Sequence, residues 1–287
     1  MSSSGGKVPL HGPRRILVPA KHASDPFVVC TKRRFTVSDQ ENKFYLAICR
    51  IANSTKWQSH DAVDIDTVRA KFYSFGHSFE KFGMLSPYVM SVFCRVLFHD
   101  NHPSKSKRNY FFPSIGAQLT IDINDVDLEK VEKSFKGAAS ARKLHLCDML
   151  YFPILYQQHW FVFLVDLKDR MLVFLDSIHE EGDDFFEPIL PHIDLQSIFQ
   201  VFKSSSHMFQ SKFLGIFSMK YMELWSPRVI LQNEFSKDNI NNIRVQYANR
   251  IFFHPNNKML GTEVEEVVLN WFDHYNYMFN LHVCFSI

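Results

Sequence analysis

Two side chains in this sequence are spaced for proton transfer. His159 opens and Asp176 closes a pair of short apolar runs, residues 160–165 and 171–175, separated by the polar stretch 166–170. A hairpin of that design centres its turn near residue 168, so His159 and Asp176 are expected opposite or nearly opposite on adjacent strands. Directly opposed residues share a face, with Cβ atoms about 4.5–5.5 Å apart. From there a carboxylate accepts a hydrogen bond from an imidazole N–H, fixes its tautomer and stabilises the imidazolium, as the third member of a triad does. A slip of one residue would send the two side chains to opposite faces. With 14 histidines in the chain, the same pair taken alone equally describes a surface hydrogen bond between strand ends, so the surrounding elements have to decide.

Those elements are readable in part. Both runs of the hairpin are rich in β-branched and aromatic residues. They are apolar on both faces, which predicts a sheet covered on both sides. Residues 149–155 predict a further buried strand, although Pro153 falls inside it. Upstream, Ser86 followed by Pro87 is an N-cap with proline at the first helical position, and Val89, Phe93, Val96 and Leu97 continue at helical spacing. The polar stretch 100–108 is expected to end that helix as a loop. Downstream, residues 215–225 predict a helix striped by Phe217, Tyr221 and Leu224. Asp238 is expected to cap a helix carrying Ile240, Ile243, Tyr247 and Ile251. Thr262 and Glu265 form a capping box ahead of the apolar face Val264, Val267, Val268, Trp271, Phe272 and Tyr275. Helices on either side of a central hairpin make the class α+β. Residues 1–60 read as a poorly ordered leader and a small adapter, with a short helix near 44–51, and residues 61–287 as the main domain.

Composition narrows the functions. The chain has 287 residues, 46% of them hydrophobic, enough for one full core. Its 32 basic and 30 acidic residues leave a formal charge of +2, so no field of one sign recruits nucleic acid or a membrane surface. The basic clusters at 32–34 and 105–108 are short. Five scattered cysteines (Cys30, Cys49, Cys94, Cys147, Cys284) show neither CxxC pairs nor zinc-ligand spacing, which favours a reducing compartment over a disulfide framework. The first fifteen residues lack the apolar core of a signal peptide, and no run is long enough to span a bilayer. The expectation is an intracellular protein, nuclear or cytoplasmic, with no cofactor and no metal.

HWFVFLVDLKDRMLVFLDS (159–177) resembles the His-Trp strand, turn and Asp strand of the SUMO-specific (ubiquitin-like-protein) cysteine proteases. LGIFSMKYMELW (214–225) resembles the helix that begins at their catalytic cysteine, written D-C-G-x-F, and FEKFGMLSPYVMSVFCRVL (79–97) resembles their first conserved segment. The resemblance spans roughly residues 65–287 and is closest to plant members, including those associated with transposable elements. It implies a papain-like or adenain-like cysteine-protease fold: a central, mostly antiparallel sheet flanked by helices. His159 then matches the general base and Asp176 its orienting partner. Trp160 matches the tryptophan lying over the substrate's Gly-Gly tail, and it also reads as an ordinary core aromatic. Gly215 matches the glycine after the nucleophile, and Gln210 the oxyanion-hole glutamine that would stabilise the tetrahedral intermediate. The implied partner is a SUMO-type ubiquitin-like protein or its conjugates.

The departures concern chemistry. The nucleophile position reads Leu214, and the aspartate before it reads Phe213. The family glutamine lies six residues before the cysteine, where this chain has Met208; Gln210 is four before, so using it requires a two-residue deletion. The family's Trp-Leu-Asn-Asp segment reads Met84-Leu85-Ser86-Pro87. A cysteine protease needs a thiolate, with a pKa lowered to about 3.5–7.5 by a neighbouring imidazolium and a helix N-terminus. Leucine has no lone pair. Three readings follow: a catalytically inactive relative that still binds a ubiquitin-like protein; an active peptidase using an unrecognised cysteine, with Cys147 and Cys284 as the weak candidates; or a decaying, transposon-derived product without a function.

Overall fold

The computed structural model describes residues 35–179, 185, 200–205 and 215–284. Arg33–Ile287 make up one compact unit. In chain order its elements are α1 (Asp39–Ile51), β1 (Asp61–Ile65), β2 (Val68–Lys71), α2 (Phe72–Phe79), α3 (Pro87–Asp100), α4 (Pro103–Ser106), β3 (Arg108–Tyr110), α5 (Pro113–Gly116), α6 (Leu128–Ala141), β4 (Met149–Tyr156), β5 (His159–Asp166), β6 (Met171–Asp176), β7 (Gln200–Ser205), α7 (Gly215–Leu224), α8 (Leu231–Glu234), α9 (Ile240–Phe252) and α10 (Glu263–Cys284). Among the described residues no helix is long and apolar enough to cross a membrane.

The principal sheet runs β3-β4-β5-β6-β7, antiparallel through β4, β5 and β6 and parallel at both margins. Its strands alternate between two apolar cores. Tyr151, Trp160, Val162, Leu164, Val173 and Leu175 face a large core shared with α1, α2, α3, α7 and α9. Phe152, Ile154, Phe161, Phe163, Leu172 and Phe174 face a second, aromatic core closed by α5 and α6. That is why both faces of the hairpin are apolar in sequence. Pro153 is tolerated because the ladder of β3 on β4 stops at Tyr151, so the outer edge at 153 needs no donor. The expected α+β architecture is present, with helices on both faces.

Local chemistry explains the helix ends. Ser86 accepts from the Tyr88 amide, and Pro87 opens α3. Ser38 and Glu41 form a reciprocal capping box on α1, whose Ala47, Ile48 and Ile51 are buried in the large core. Three expectations need correction. Asp238 does not cap α9: the N-cap position is Asn239, without a side-chain cap bond, and Ser236 caps the 3-10 turn Lys237–Asn239 just before it in a reciprocal box with Asn239. Residues 100–108 are not a plain loop but hold α4, ended by Lys107 in the left-handed region. The box expected of Thr262 and Glu265 is not reciprocal: Thr262 Oγ1 accepts from the Val264 amide, and Glu265 accepts from the Gly261 amide instead of that of Thr262.

A half-buried ionic cluster ties α7 to α9. Glu223 accepts hydrogen bonds from Lys220 (2.6 Å), the Tyr247 hydroxyl (2.8 Å) and Arg250 (2.6 Å), and Arg250 also donates to Asp100 at 2.7 Å. Burial alone would raise the Glu223 pKa, but the Lys220 and Arg250 charges outweigh it and hold the carboxyl below its ordinary 4.5. A depressed folded-state pKa gives stability that is complete above about 4.5 and lost as pH falls through the folded value. Glu223→Gln should therefore cost about 1–3 kcal/mol at pH 7. Denaturant melts at a series of pH values should show that deficit shrinking below pH 4.5; an unchanged deficit at pH 3 would mean that the charge contributes nothing.

Candidate active site

His159 is the first residue of β5, and the strand before it returns through a two-residue turn. Gln157 and Gln158 take φ of 47° and 62°, the doubly left-handed conformation of a type I′ hairpin that normally selects Asn-Gly. For residues carrying a Cβ this costs roughly 1–2 kcal/mol each. The strain sits directly before the imidazole, where the pairing Tyr156↔His159 fixes the start of β5.

The hairpin of β5 and β6 brings the predicted pair together in a different register. Val162 pairs with Leu175 and Asp166 with Met171, so the cross-strand position of Asp176 falls at Phe161. His159 and Asp176 are thus a diagonal pair, not a directly opposed one. The displacement is two residues, which leaves both side chains on one face, and long side chains bridge a diagonal. His159 Nε2 lies 2.6 Å from Asp176 Oδ2, with side-chain exposures of 10% and 1%. A carboxylate only accepts, so Nε2 is the donor in this hydrogen bond. The second oxygen of Asp176 accepts from the amides of Ile178 (2.6 Å) and His179 (3.0 Å), which locks the carboxylate. Phe161 and Phe185 pack around the imidazole. This arrangement can orient and polarise a general base.

Trp160 points to the other face and is 3% exposed. Its indole N–H donates to the Leu85 carbonyl at 2.9 Å, and its own carbonyl accepts from Ser218 of α7 at 3.1 Å. Gly215, the first residue of α7, fits only without a side chain: a Cβ there would stand 2.5 Å from Leu85 Cβ and 2.8 Å from Trp160 Cδ1. Arg244 of α9 holds the segment carrying Leu85 by donating to the carbonyls of Ser78 and Gly83. Helix α7 therefore starts against the neighbour of His159, and the chain position preceding that start is Leu214. Leu214 itself, Phe213, Met208 and Gln210 lie outside the described residues, as does Cys30.

Three cysteines are described with their side chains, and each bonds a backbone carbonyl away from this site. Cys49 contacts Gly76, Cys94 contacts Phe111, and Cys147 contacts Lys143. Burial pushes the Cys49 thiol up to about 12, and burial likewise raises those of Cys94 and Cys147. Nothing activates them as thiolates. What reading the sequence missed is His179, whose ring lies 5.1 Å from that of His159; no spacing rule connects it to the pair, because the turn after β6 delivers it.

Comparison with known proteins places these features in a family. Residues 84–259, more than half of the chain, match the Ulp1 protease family, C-terminal catalytic domain. Among solved structures, the C-terminal Ulp1 protease domain in complex with Smt3, the yeast ortholog of SUMO, superposes with a TM-score of 0.60 at 13% identity, covering 77% of this chain and 97% of that one. A SUMO protease Ulp1 whose catalytic cysteine is oxidised to a sulfenic acid gives 0.59 at 13% identity, with coverages of 77% and 97%. The Ulp1-like SUMO protease catalytic domain of Chaetomium thermophilum gives 0.54 at 11%, with coverages of 75% and 89%. At such identities the likeness establishes the fold. No curated protein matches the chain in sequence. The family match, the fold and the buried His159–Asp176 pair agree, and this chain belongs to the Ulp1 protease family, its residues 84–259 corresponding to that family's C-terminal catalytic domain.

Proposed function

We propose that this chain is a non-catalytic member of the Ulp1 family that binds a SUMO-type ubiquitin-like protein. One observation carries the reading: an orienting carboxylate and a general base are assembled at 2.6 Å, while the residue ahead of α7, where the family carries its nucleophile, is Leu214. The partner class comes from the relative solved with Smt3. In this reading residues 61–287 are the protease-like domain and α1 is an adapter packed on it. Trp160 and Gly215 keep the shape of the groove in which the partner's extended tail would lie, and Gln210 stands for the former oxyanion donor. A balanced charge of +2 leaves recognition to shape and local contacts. Calorimetric titration of the full chain with mature SUMO-type proteins, and with other ubiquitin-like proteins for contrast, should give saturable one-to-one binding to at least one SUMO type. Absence of heat and of any mobility shift with all of them rejects the proposal.

A second reading, an active peptidase with a displaced nucleophile, draws on the same intact pair. Against it stand the three described thiols, Cys94 and Cys147 buried and Cys49 half-buried, each bonded to a backbone carbonyl elsewhere.

A further inference from the structure

We propose that His159, Asp176 and His179 form a binding site for a divalent transition-metal ion of the zinc class. The proposal stands on these three side chains alone and does not depend on what the site hydrolyses or binds. One ligand atom from each residue lies within 4.8 Å of the other two, and this is the only such group among the described residues. Two imidazoles and a carboxylate are the donor set of three-ligand zinc sites that keep a position open, and they also suit the neighbouring divalent metals.

The geometry is close to what an ion would require. Two imidazoles bound at about 2.0–2.1 Å with a tetrahedral angle between them put their ring centres about 5 Å apart. Those of His159 and His179 are 5.1 Å apart and inclined at 76°. Asp176 keeps one oxygen on the amides of Ile178 and His179, so the other is already aimed; an outer shell of this kind typically adds 10–100-fold in affinity. The His179 ring is stacked on Phe185 at 3.8 Å, which fixes its plane. A neutral His159 would move its single proton from Nε2 to Nδ1, which leaves Nε2 and the Asp176 oxygen both as donors to the ion, with no net proton released. His159 and Asp176 supply two donors, and His179 supplies the third.

The test uses the tag-free full chain. Zinc titration by calorimetry should give one equivalent bound at micromolar Kd or tighter. Cobalt should give the visible d–d absorption of a four- or five-coordinate site. His179→Phe keeps a ring against Phe185 but removes the ligand, and it should weaken zinc binding at least 100-fold and abolish the cobalt spectrum. Its unloaded Tm should stay within about 2 °C of the parent's, and His145→Ala should bind as the parent does. The proposal is overturned if the parent binds no equivalent of zinc, or if His179→Phe binds zinc and cobalt as the parent does, which would put the ion elsewhere among the 14 histidines. Should His179→Phe lose its fold, Asp176→Asn read by the same cobalt spectrum decides: an unchanged spectrum overturns the site, and a lost one supports it.

Discussion

A SUMO-type protein carrying a C-terminal electrophile is expected to leave the parent chain unmodified and to label the Phe213→Asp, Leu214→Cys double variant covalently. The physical basis is the division of labour in a nucleophile–base–acid site. The carboxylate and base are assembled, with Asp176 fixed by two amides and by His159 at 2.6 Å. What the sequence lacks ahead of α7 is an atom able to form the thioester. In a well-studied serine triad, losing the nucleophile alone costs about 10⁶ in rate, nearly as much as losing all three members. The restored thiol would directly precede a buried ten-residue helix whose first residue packs on Trp160, the chain neighbour of His159, and a helix N-terminus and an imidazolium are the two influences that lower a thiol pKa. Labelling should therefore rise from undetectable to complete, and intact-mass analysis reads it directly. Cys49, Cys94 and Cys147 serve as internal controls, because burial raises all three thiols. Labelling of the parent at any native cysteine, lost on His159→Ala, would make this chain an active peptidase and end the inactive reading. A double variant that binds SUMO but takes no label would break the correspondence between Leu214 and the nucleophile.

Legibility in the sequence followed the length scale of the interaction. Caps are local, so Ser86-Pro87 located the start of α3 and Thr262 that of α10. The double-sided apolar runs gave the buried strands and the covered sheet, because alternation reports both faces at once. Register is only half local. The pairing Asp166↔Met171 is set by the turn at 167–170 with Arg170 left-handed, and composition did not reveal that shift of two. Helix α6 went unread because none of its residues is fully buried; it covers the aromatic core with Phe135 and Ala138 alone. His179 was invisible for a different reason. Its proximity to His159 comes from the turn folding back on Asp176, a tertiary event with no periodic trace.

Trp160→Ala should be the most destabilising single change at the site. The indole is 3% exposed and fills the joint between β5, the start of α7 and the segment carrying Leu85. Truncating a buried tryptophan removes its apolar transfer energy and leaves a cavity, together about 3–5 kcal/mol. The Leu85 carbonyl also loses its donor, which adds about 1 kcal/mol where water cannot reach it. For a domain of this size that corresponds to a fall in Tm of roughly 10 °C. Trp160→Phe separates the two contributions, because it keeps most of the packing and removes only the indole N–H; about 1–2 kcal/mol is expected. Gly215 explains why the loss cannot be absorbed by collapse. The backbone of α7 already touches Leu85 and Trp160 as closely as a missing Cβ permits, and Ser218 pins the helix to the Trp160 carbonyl. Chemical denaturation of both variants measures the difference. A Trp160→Ala chain that melts within 2 °C of the parent would show that α7 and β5 are held together elsewhere, and would remove the physical reason for reading Gly215 as the fixed point at which α7 begins against β5.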